Sequence, residues 1–263
     1  MNLAGNLGEM LMVPYYQRRP LESVRYMYAK WRFKKNRVNT AEKFLEGLGI
    51  SADAALSGYS RWRPLLRESL DRMLKVDSIE AQQGGVSEDD GKVLYGIVRS
   101  MRPNYTIETG VAAGIANSFI NAALLDNGTG TLYSIELPPS QAEKGMHNDG
   151  GKFGWPTLGV GWAVPQEIRQ AIGSRNVLIL ESVRTALPRL LRELPQVDLF
   201  FNDDLHAPDH MLWEYNVVWP HLATNGLLLS DDSNFGWFRF CRGRHLRDRE
   251  AVNLQRLTAI RKA

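Results

Sequence analysis

Cysteine is nearly absent from this chain: Cys241 is the single cysteine among 263 residues. One thiol can form no internal disulfide, and it cannot supply a cluster of thiolates for a zinc ion. The scarcity of cysteine therefore excludes a disulfide-stapled secreted domain and a cysteine-based zinc module. A reducing, cytoplasmic setting is the simplest expectation.

Long apolar runs are also missing. No segment approaches the roughly 18 consecutive apolar residues of a membrane-spanning helix. The first residues, MNLAGNLGEMLMVPYY, place no basic residue before their apolar stretch, and Glu9 interrupts it. We therefore expect neither a signal peptide nor a membrane span, and a short amphipathic contact of this segment with a membrane surface is the one alternative left open.

A strong excess of charge is missing too, since the formal net charge is +3 with histidine neutral. A net positive charge this small does not predict nucleic acid as a partner. The basic residues do cluster, in Lys30–Arg37 and in Arg239–Arg249. Solvated faces are the simpler interpretation of these clusters, and a surface for an anionic partner is the sharper one.

The first part of the chain is predicted to be helical. Apolar residues at helical spacing predict helices over Leu21–Phe33, over Ala41–Leu48 and around Leu65–Met73, with a loop over Ala52–Tyr59. The polar, glycine-rich segment AQQGGVSEDD, residues 81–90, is the best candidate for a boundary. We therefore divide the chain into a helical N-terminal extension, 1–87, and a second domain, 88–263.

The second domain shows a regular alternation of strands and helices after a first helix over Glu88–Ser100. Apolar runs predict buried strands at Tyr105–Glu108, Thr131–Glu136, Val177–Leu180, Val197–Phe201 and Leu227–Ser230. Helices are predicted between them, at Ile115–Leu125, Pro165–Ile172, Val183–Leu194 and Pro208–His221. This alternation predicts a doubly wound α/β fold, in which helices cover both faces of a parallel sheet. In such folds the ligands bind at the carboxyl ends of the strands.

A glycine turn follows the first of these strands, in the sequence ETGVAAG from Glu108 to Gly114. Gly110 allows a sharp turn and a close approach of ligand to backbone, and Gly114 opens a helix whose free N–H groups can receive polar ligand atoms. The next strand ends at Glu136, which can accept hydrogen bonds from both hydroxyls of a ribose. A nicotinamide fingerprint would have glycine where Ala112 stands, so the spacing disfavours a dinucleotide.

Carboxylates collect at two later strand ends, in VDLFFNDDLH and LLLSDDSN. Asp203, Asp231 and Asp232 are predicted to converge, and three carboxylates that close repel one another unless a proton or a cation intervenes. Oxygen ligands suit Mg²⁺, Mn²⁺ or Ca²⁺. Such an ion would bind and acidify a substrate hydroxyl, and His206 would take its proton as general base. The alternative is a purely structural role, in which the aspartates cap a loop or a helix and His206 forms a hydrogen bond with the start of a helix.

These motifs resemble one family. ETGVAAG is similar to motif I of the class I S-adenosylmethionine-dependent methyltransferases, which have a Rossmann-like, seven-stranded sheet. From Ile107 onward the chain looks like the group that includes the macrolide sugar O-methyltransferases, and the similar segments are GWAVPQEIR, DDLH, EYNVVWPHL, NGLLLSDD and LTAIRK. The resemblance implies methyl transfer to an oxygen of a sugar or natural product. Residues expected to bind the cofactor are Glu108, Gly110, Ala112, Gly114, Glu136, Ser182 and Asp203.

The same resemblance implies Mg²⁺ or another divalent ion on Asp203, Asp231 and Asp232, with His206 as base. Metal dependence stays open, because relatives of this group can lack the ion and Leu180-Glu181-Ser182 departs from the Gly-Asp-Ser of many relatives. The N-terminal extension is expected to act as a lid or as the interface of a homo-oligomer.

Four aromatic residues are predicted in loops that follow strand ends, where they could form either an apolar lid over the ligand or part of the core: Trp155, Trp162, Phe235 and Trp237. His210, His221 and His245 are expected to be ordinary surface or helix-terminal residues. The alternatives to a methyltransferase are a non-catalytic scaffold on the same fold and a pathway hydroxylase. No clear 2-His-1-carboxylate motif supports the hydroxylase.

Overall fold

The computed structural model describes residues 37–75, 85–138, 158–231, 235–244, 251–254 and 256–263, together with positions 21 and 24. Its first elements are strand β1 (Arg37–Val38) and helices α1 (Ala41–Gly47), α2 (Ala52–Leu56), α3 (Tyr59–Leu74) and α4 (Glu88–Met101). Alternating elements follow: β2 (Tyr105–Thr109), α5 (Ile115–Asn127), β3 (Thr131–Glu136), α6 (Gln166–Ile172), β4 (Asn176–Leu180), α7 (Val183–Glu193), β5 (Val197–Asn202), α8 (Pro208–Val218), β6 (Leu222–Ser230), α9 (Phe235–Gly243), β7 (Ala251–Leu254) and β8 (Leu257–Arg261). Of the helices so described, none is long and apolar enough to cross a membrane.

The strands form one sheet in the order β1-β7-β8-β6-β5-β2-β3-β4. All neighbours pair in parallel except β8, which runs antiparallel to β6 and β7. The predicted doubly wound fold is confirmed. The seven strands from β2 to β8 make the expected sheet, and the two-residue β1 adds an eighth strand at one edge. Chain order reverses between β2 and β5, so a ligand crevice is expected at the carboxyl ends of these two strands.

Alternate residues of the central strands face opposite sides of the sheet. Leu199 and Phe201 of β5 belong to one hydrophobic cluster, whereas Phe200 between them belongs to the other. The first cluster lies under α1–α6 and the second under α7–α9. Because both faces are covered, consecutive residues such as Leu199–Phe201 and Leu227–Leu229 are all buried and apolar, and this explains why short apolar runs predicted these strands.

The helices before the predicted boundary share the first cluster with those after it. The ring of Tyr59 in α3 lies 5.5 Å from that of Tyr95 in α4 and 6.3 Å from that of Phe119 in α5. Ser87 caps α4 and accepts a hydrogen bond from the backbone N–H of Asp90 at 3.2 Å. The α4 start therefore lies where the sequence predicted it, and α1–α3 pack directly on the helices of the sheet.

Two local predictions were wrong. The loop predicted over Ala52–Tyr59 contains α2, because its alanines favour helix and two of them are buried in the core. The strand predicted over Val177–Leu180 is not buried: β4 is the edge strand, and Leu178 and Leu180 are 45% and 49% exposed. An apolar run does not reveal where its strand stands in the sheet. The predicted helix over Leu21–Phe33 lies outside the described residues, apart from helical positions 21 and 24.

Candidate active site at the carboxyl edge of the sheet

The turn after β2 is built on backbone that favours glycine. Gly110 and Gly114 have φ of 82° and 88°, and Ala112 between them has φ of 46°. A Cβ on Gly110 would collide with the Asp203 carbonyl and lie 2.8 Å from the Asp204 nitrogen. A Cβ on Gly114 would lie 2.5 Å from Val164 Cγ2. The structure thus confirms a tight turn that opens α5 and leaves no room for side chains at either glycine.

Glu136 at the end of β3 holds this turn. Its Oε2 accepts hydrogen bonds from the backbone N–H groups of Val111 and Ala112, both at 2.8 Å, and its Oε1 accepts from that of Leu137 at 2.8 Å. Burial raises the pKa of Glu136 to about 7, against these hydrogen bonds, and the Asp204 carboxylate adds to the rise. The carboxylate predicted to receive a ribose is therefore directed at the glycine turn, with capacity left on Oε1 for a further donor.

Glu108 is fully buried beneath the same turn. Its Oε2 accepts hydrogen bonds from Asn117 Nδ2 and Ser134 Oγ, each at 2.8 Å, whereas its Oε1 is buried without a hydrogen bond. Burial raises the pKa of Glu108 to about 8, and the nearby Asp203 and Glu136 contribute. Three acidic groups therefore surround the crevice between β2, β3 and β5, an arrangement that favours a cationic ligand.

The predicted acidic cluster is found at the ends of β5 and β6. The backbone N–H of Asp203 donates to Thr109 at 2.8 Å and that of Asp231 donates to Asn202 at 2.8 Å, so strand pairing extends to both residues. His206 Nε2 lies 3.6 Å from Asp203 Oδ1. When one potential ligand atom is taken from each of Asp203, His206 and Asp231, the three atoms lie within 4.8 Å of one another.

The two carboxylates of this set fit a divalent cation such as Mg²⁺, and the imidazole of His206 lies beside them. Asp231 is buried and already carries a counter-charge, since Arg256 Nη2 donates to its Oδ2 at 3.0 Å. An ion on Asp231 would have to compete with that arginine. Asp232, the third predicted ligand, lies outside the described residues.

Ser182, a further residue predicted to bind the cofactor, stands at the start of α7. Its carbonyl accepts the N–H groups of Thr185 and Ala186, both at 2.9 Å, and its hydroxyl forms no capping bond. The preceding Glu181 N–H donates to the carbonyl of Glu136 at 3.0 Å. Ser182 therefore borders the site through the β3–β4 pairing, but the structure gives its hydroxyl no contact with the glycine turn.

A second buried cluster was missed. His210 was interpreted as an ordinary residue, yet its Nε2 lies 2.9 Å from Asp204 Oδ2 and 3.5 Å from Glu214 Oε2. The spacing of His210 and Glu214, four residues apart, places them on one face of α8 and was the signal available in the sequence. Asn202 was also missed: its Nδ2 donates to Glu214 Oε2 at 2.6 Å.

The aromatic lid is corrected at two positions, since Phe235 begins α9 and Trp237 lies within that helix. Trp237 does not lie in a loop over the site but in α9, fully buried in the second hydrophobic cluster. Its ring stands 5.5 Å from that of Tyr215. An indole has enough apolar area to be a core residue, and sequence pattern alone does not separate the two roles. Trp155 and His245 lie outside the described residues.

Comparison with known proteins agrees with this geometry. Residues 107–233 match a family model described as "Methyltransferase domain". A search among curated proteins finds no match. Among solved structures, the SAH-bound methyltransferase PaMTH1 of Podospora anserina has a TM-score of 0.54 at 16% identity over 76% of this chain and 88% of that one.

Two other solved structures are similar. An O-methyltransferase from Bacillus cereus in complex with SAH has a TM-score of 0.51 at 14% identity, over 76% of this chain and 91% of that one. The O-methyltransferase NovP has a TM-score of 0.51 at 11% identity, over 78% of this chain and 99% of that one. At these identities the likeness concerns the fold alone.

The sheet order, the glycine turn and the acidic crevice together define a Rossmann-like fold of the class I methyltransferase type. Residues 107–233, the part of the chain that carries the glycine turn and the acidic strand ends, are similar to a methyltransferase domain.

Proposed function

We propose that this protein transfers the methyl group of S-adenosylmethionine to a hydroxyl oxygen of a small molecule, with a sugar or a natural-product glycoside as the acceptor. The observation that carries the proposal is the crevice at the switch point, where Glu108, Glu136 and Asp203 surround a glycine turn. Burial raises the pKa of Glu108 and of Glu136, so a positively charged ligand beside them is favoured, and S-adenosylmethionine carries a sulfonium. The O-methyltransferase relatives support oxygen as the acceptor atom.

In this proposal the cofactor lies against the turn from Gly110 to Gly114. Its ribose hydroxyls donate to Glu136. Glu108 beneath the turn and Ser182 at the start of α7 border the rest of the cofactor. Ala112 contributes backbone rather than a side chain. Because no side chain fits at Gly110 or Gly114, ligand atoms can approach main-chain groups there.

Methyl transfer itself needs alignment and a place for one proton. The acceptor oxygen attacks the methyl carbon, the carbon–sulfur bond breaks, and S-adenosylhomocysteine leaves as a neutral thioether. We assign the proton to His206, whose side chain is 34% exposed and stands 3.6 Å from Asp203. Asp203 then orients the imidazole and stabilises its charged form.

Asp203, Asp231 and Asp232 are proposed to hold Mg²⁺ or a similar ion when one is bound. Such an ion would lower the pKa of an acceptor hydroxyl. Arg256 occupies one oxygen of Asp231, so this chain has a built-in competitor for the ion.

The N-terminal extension, 1–87, is proposed to form part of the acceptor pocket. A cavity of about 470 Å³ lies between α3, the start of α4 and the end of β6. Its lining includes the apolar side chains of Leu70, Met73 and Val86 and the charged side chains of Asp90, Asp231 and Arg256. A volume of this size suits a small ligand, and its mixed lining suits a glycoside that has an apolar part. Pairing of two chains stays a prediction.

The scaffold and hydroxylase alternatives have no specific observation in their favour. A scaffold would not require a buried Glu108 with an unpaired oxygen, which costs stability in any folded protein.

Calorimetric titration with S-adenosylmethionine, with Mg²⁺ and after EDTA, tests the proposal. We expect saturable binding by the wild-type protein and its loss in Gly110→Ala. Transfer of radiolabelled methyl to a panel of glycosides, polyols and phenols then identifies the acceptor class. Absence of binding under every condition would overturn the assignment, and methylation of phenols or amines alone would overturn the sugar acceptor.

A further inference from the structure

The cluster of Asp204, His210 and Glu214 lies beside the candidate active site and takes no part in the chemistry proposed above. One ligand atom from each residue lies within 4.8 Å of the other two. The side chains of Asp204 and His210 are 15% and 13% exposed, and Glu214 is fully buried. Three groups with this degree of burial differ from the exposed acidic patches that are common on protein surfaces.

The carboxyl group of Glu214 is fully buried and incompletely hydrogen-bonded. Burial raises its pKa well above the ordinary range, and the Asp204 carboxylate raises it further. Oε2 accepts from Asn202, but Oε1 is buried and makes no hydrogen bond of good geometry. A hydrogen bond from Thr109 and the charge of Arg184 partly counter this rise in pKa. Within the described residues, however, no lysine or arginine lies within ion-pair distance of Asp204 or Glu214. A buried carboxylate without a full set of partners points to a missing cation or proton.

We propose that Asp204, His210 and Glu214 form a second cation site, separate from the cluster of Asp203, His206 and Asp231, and that it binds a divalent transition metal of the zinc class. One imidazole and two carboxylates are ligands that Zn²⁺ accepts, and the imidazole disfavours Mg²⁺ and Ca²⁺.

The donor spacing agrees with this choice. Bonds of about 2.0–2.1 Å to a tetrahedral zinc ion place its ligand atoms roughly 3.3–3.4 Å apart. His210 Nε2 lies 2.9 Å from Asp204 Oδ2 and 3.5 Å from Glu214 Oε2, on either side of that value. The ligand atoms of Asp204 and Glu214 lie within 4.8 Å of each other, so an ion would bring these two carboxylates to the same spacing, and Glu214 Oε1 or a water would complete the coordination.

The site would link two elements of the fold. Asp204 belongs to the loop after β5, which also carries Asp203 and His206, whereas His210 and Glu214 belong to α8. A metal bound there would clamp this loop to the helix. Its expected role is structural support of the active-site loop.

Zinc binding to EDTA-treated full-length protein tests the inference. We expect one Zn²⁺ per chain, by calorimetry and by elemental analysis after gel filtration. The affinity should fall at least tenfold in His210→Gln and in Glu214→Gln, and remain unchanged in the matched control His221→Gln, which alters an exposed histidine. Co²⁺ in place of Zn²⁺ should give visible absorption bands that His210→Gln removes.

Asp203→Asn separates the two clusters, because it removes a ligand of the first cluster only. Retained zinc binding in Asp203→Asn supports the proposal. Loss of zinc in Asp203→Asn together with its retention in His210→Gln assigns the ion to the first cluster and overturns the proposal, as does a wild-type protein that binds no zinc. Circular dichroism checks folding, and Asp204→Asn replaces any variant that fails to fold.

Discussion

The backbones of Gly110 and Asp203 are in close contact at the carboxyl ends of β2 and β5, where the chain order of the sheet reverses. The α-carbon of Gly110 faces the carbonyl of Asp203 so closely that even a methyl group would collide with it. The two residues follow neighbouring strands, since β2 pairs with β5 in parallel up to Thr109 and Asn202. The turn that is proposed to hold the cofactor and the loop that carries Asp203 and His206 are therefore one packed unit.

Replacing Gly110 by alanine should destabilise the contact between this turn and the loop that carries Asp203. The added Cβ meets backbone, which cannot move aside, and φ of 82° is itself unfavourable for alanine. We expect a loss of more than about 2 kcal/mol in the free energy of unfolding and no measurable binding of S-adenosylmethionine. Gly128→Ala is the control, because Gly128 has φ of 71° but no atom near its Cβ position. It should cost about 1 kcal/mol and retain binding. Equal losses in the two variants would contradict the locking of Gly110 against Asp203.

The sequence revealed this region well because its chemistry is local. ETGVAAG places the glycines of one turn within seven residues, and the apolar strands on either side have the lengths of buried strands. Parallel strands bring their carboxyl ends to one edge, so the convergence of Asp203 and Asp231 also followed from the predicted topology. Both features depend on residues whose neighbours in space are fixed once the sheet order is known.

The features that the sequence did not reveal depend on side-chain contacts across elements. Nothing in a single sequence shows that Arg256 reaches Asp231 across 25 residues, or that Asn202 joins Glu214 beneath the loop. Trp237 was misplaced for a similar reason, because an aromatic residue in the core and one over a ligand have the same sequence signature. Such contacts are determined by packing rather than by periodicity.

Ala112 is held in a left-handed conformation, with φ of 46°, and its N–H donates to Glu136. Glycine relieves the strain at this position and keeps the N–H, although it makes the unfolded chain more flexible. We expect Ala112→Gly to change the free energy of unfolding by less than about 0.5 kcal/mol and to retain cofactor binding. Ala113→Gly alters a buried neighbour that has no such strain and should cost about 1 kcal/mol. Urea denaturation of both variants makes the comparison, and a larger loss in Ala112→Gly than in Ala113→Gly would contradict it.

Glu108 should make stability depend on pH. Its folded-state pKa of about 8 lies above the ordinary value of 4.5, so the native state keeps a proton that the unfolded chain releases. Stability must then fall as pH rises from about 4.5 to about 8, at up to roughly 1.4 kcal/mol per pH unit, and level off above that window. Glu108→Gln lacks this contribution, while Glu136 acts equally in both proteins. Urea denaturation between pH 5 and pH 8 should show similar stability at pH 5 and a growing advantage of the variant toward pH 8. Parallel curves would mean that Glu108 ionises normally.

The ion pair between Arg256 and Asp231 should control metal binding at the first cluster. Arg256 Nη2 donates to Asp231 Oδ2 at 3.0 Å, and a divalent ion on Asp231 has to displace it. We expect Arg256→Gln to strengthen binding of Mn²⁺, used as a paramagnetic substitute for Mg²⁺, by about threefold to tenfold, since the arginine side of this pair is exposed and such a pair is worth on the order of 1 kcal/mol. Asp231→Asn should abolish that binding. Arg239→Gln, which breaks the exposed pair of Arg239 with Asp209, is the matched control and should leave the affinity unchanged. Titrations followed by electron paramagnetic resonance report free Mn²⁺ directly. Weaker binding in Arg256→Gln would show that the arginine supports the site instead of competing for it.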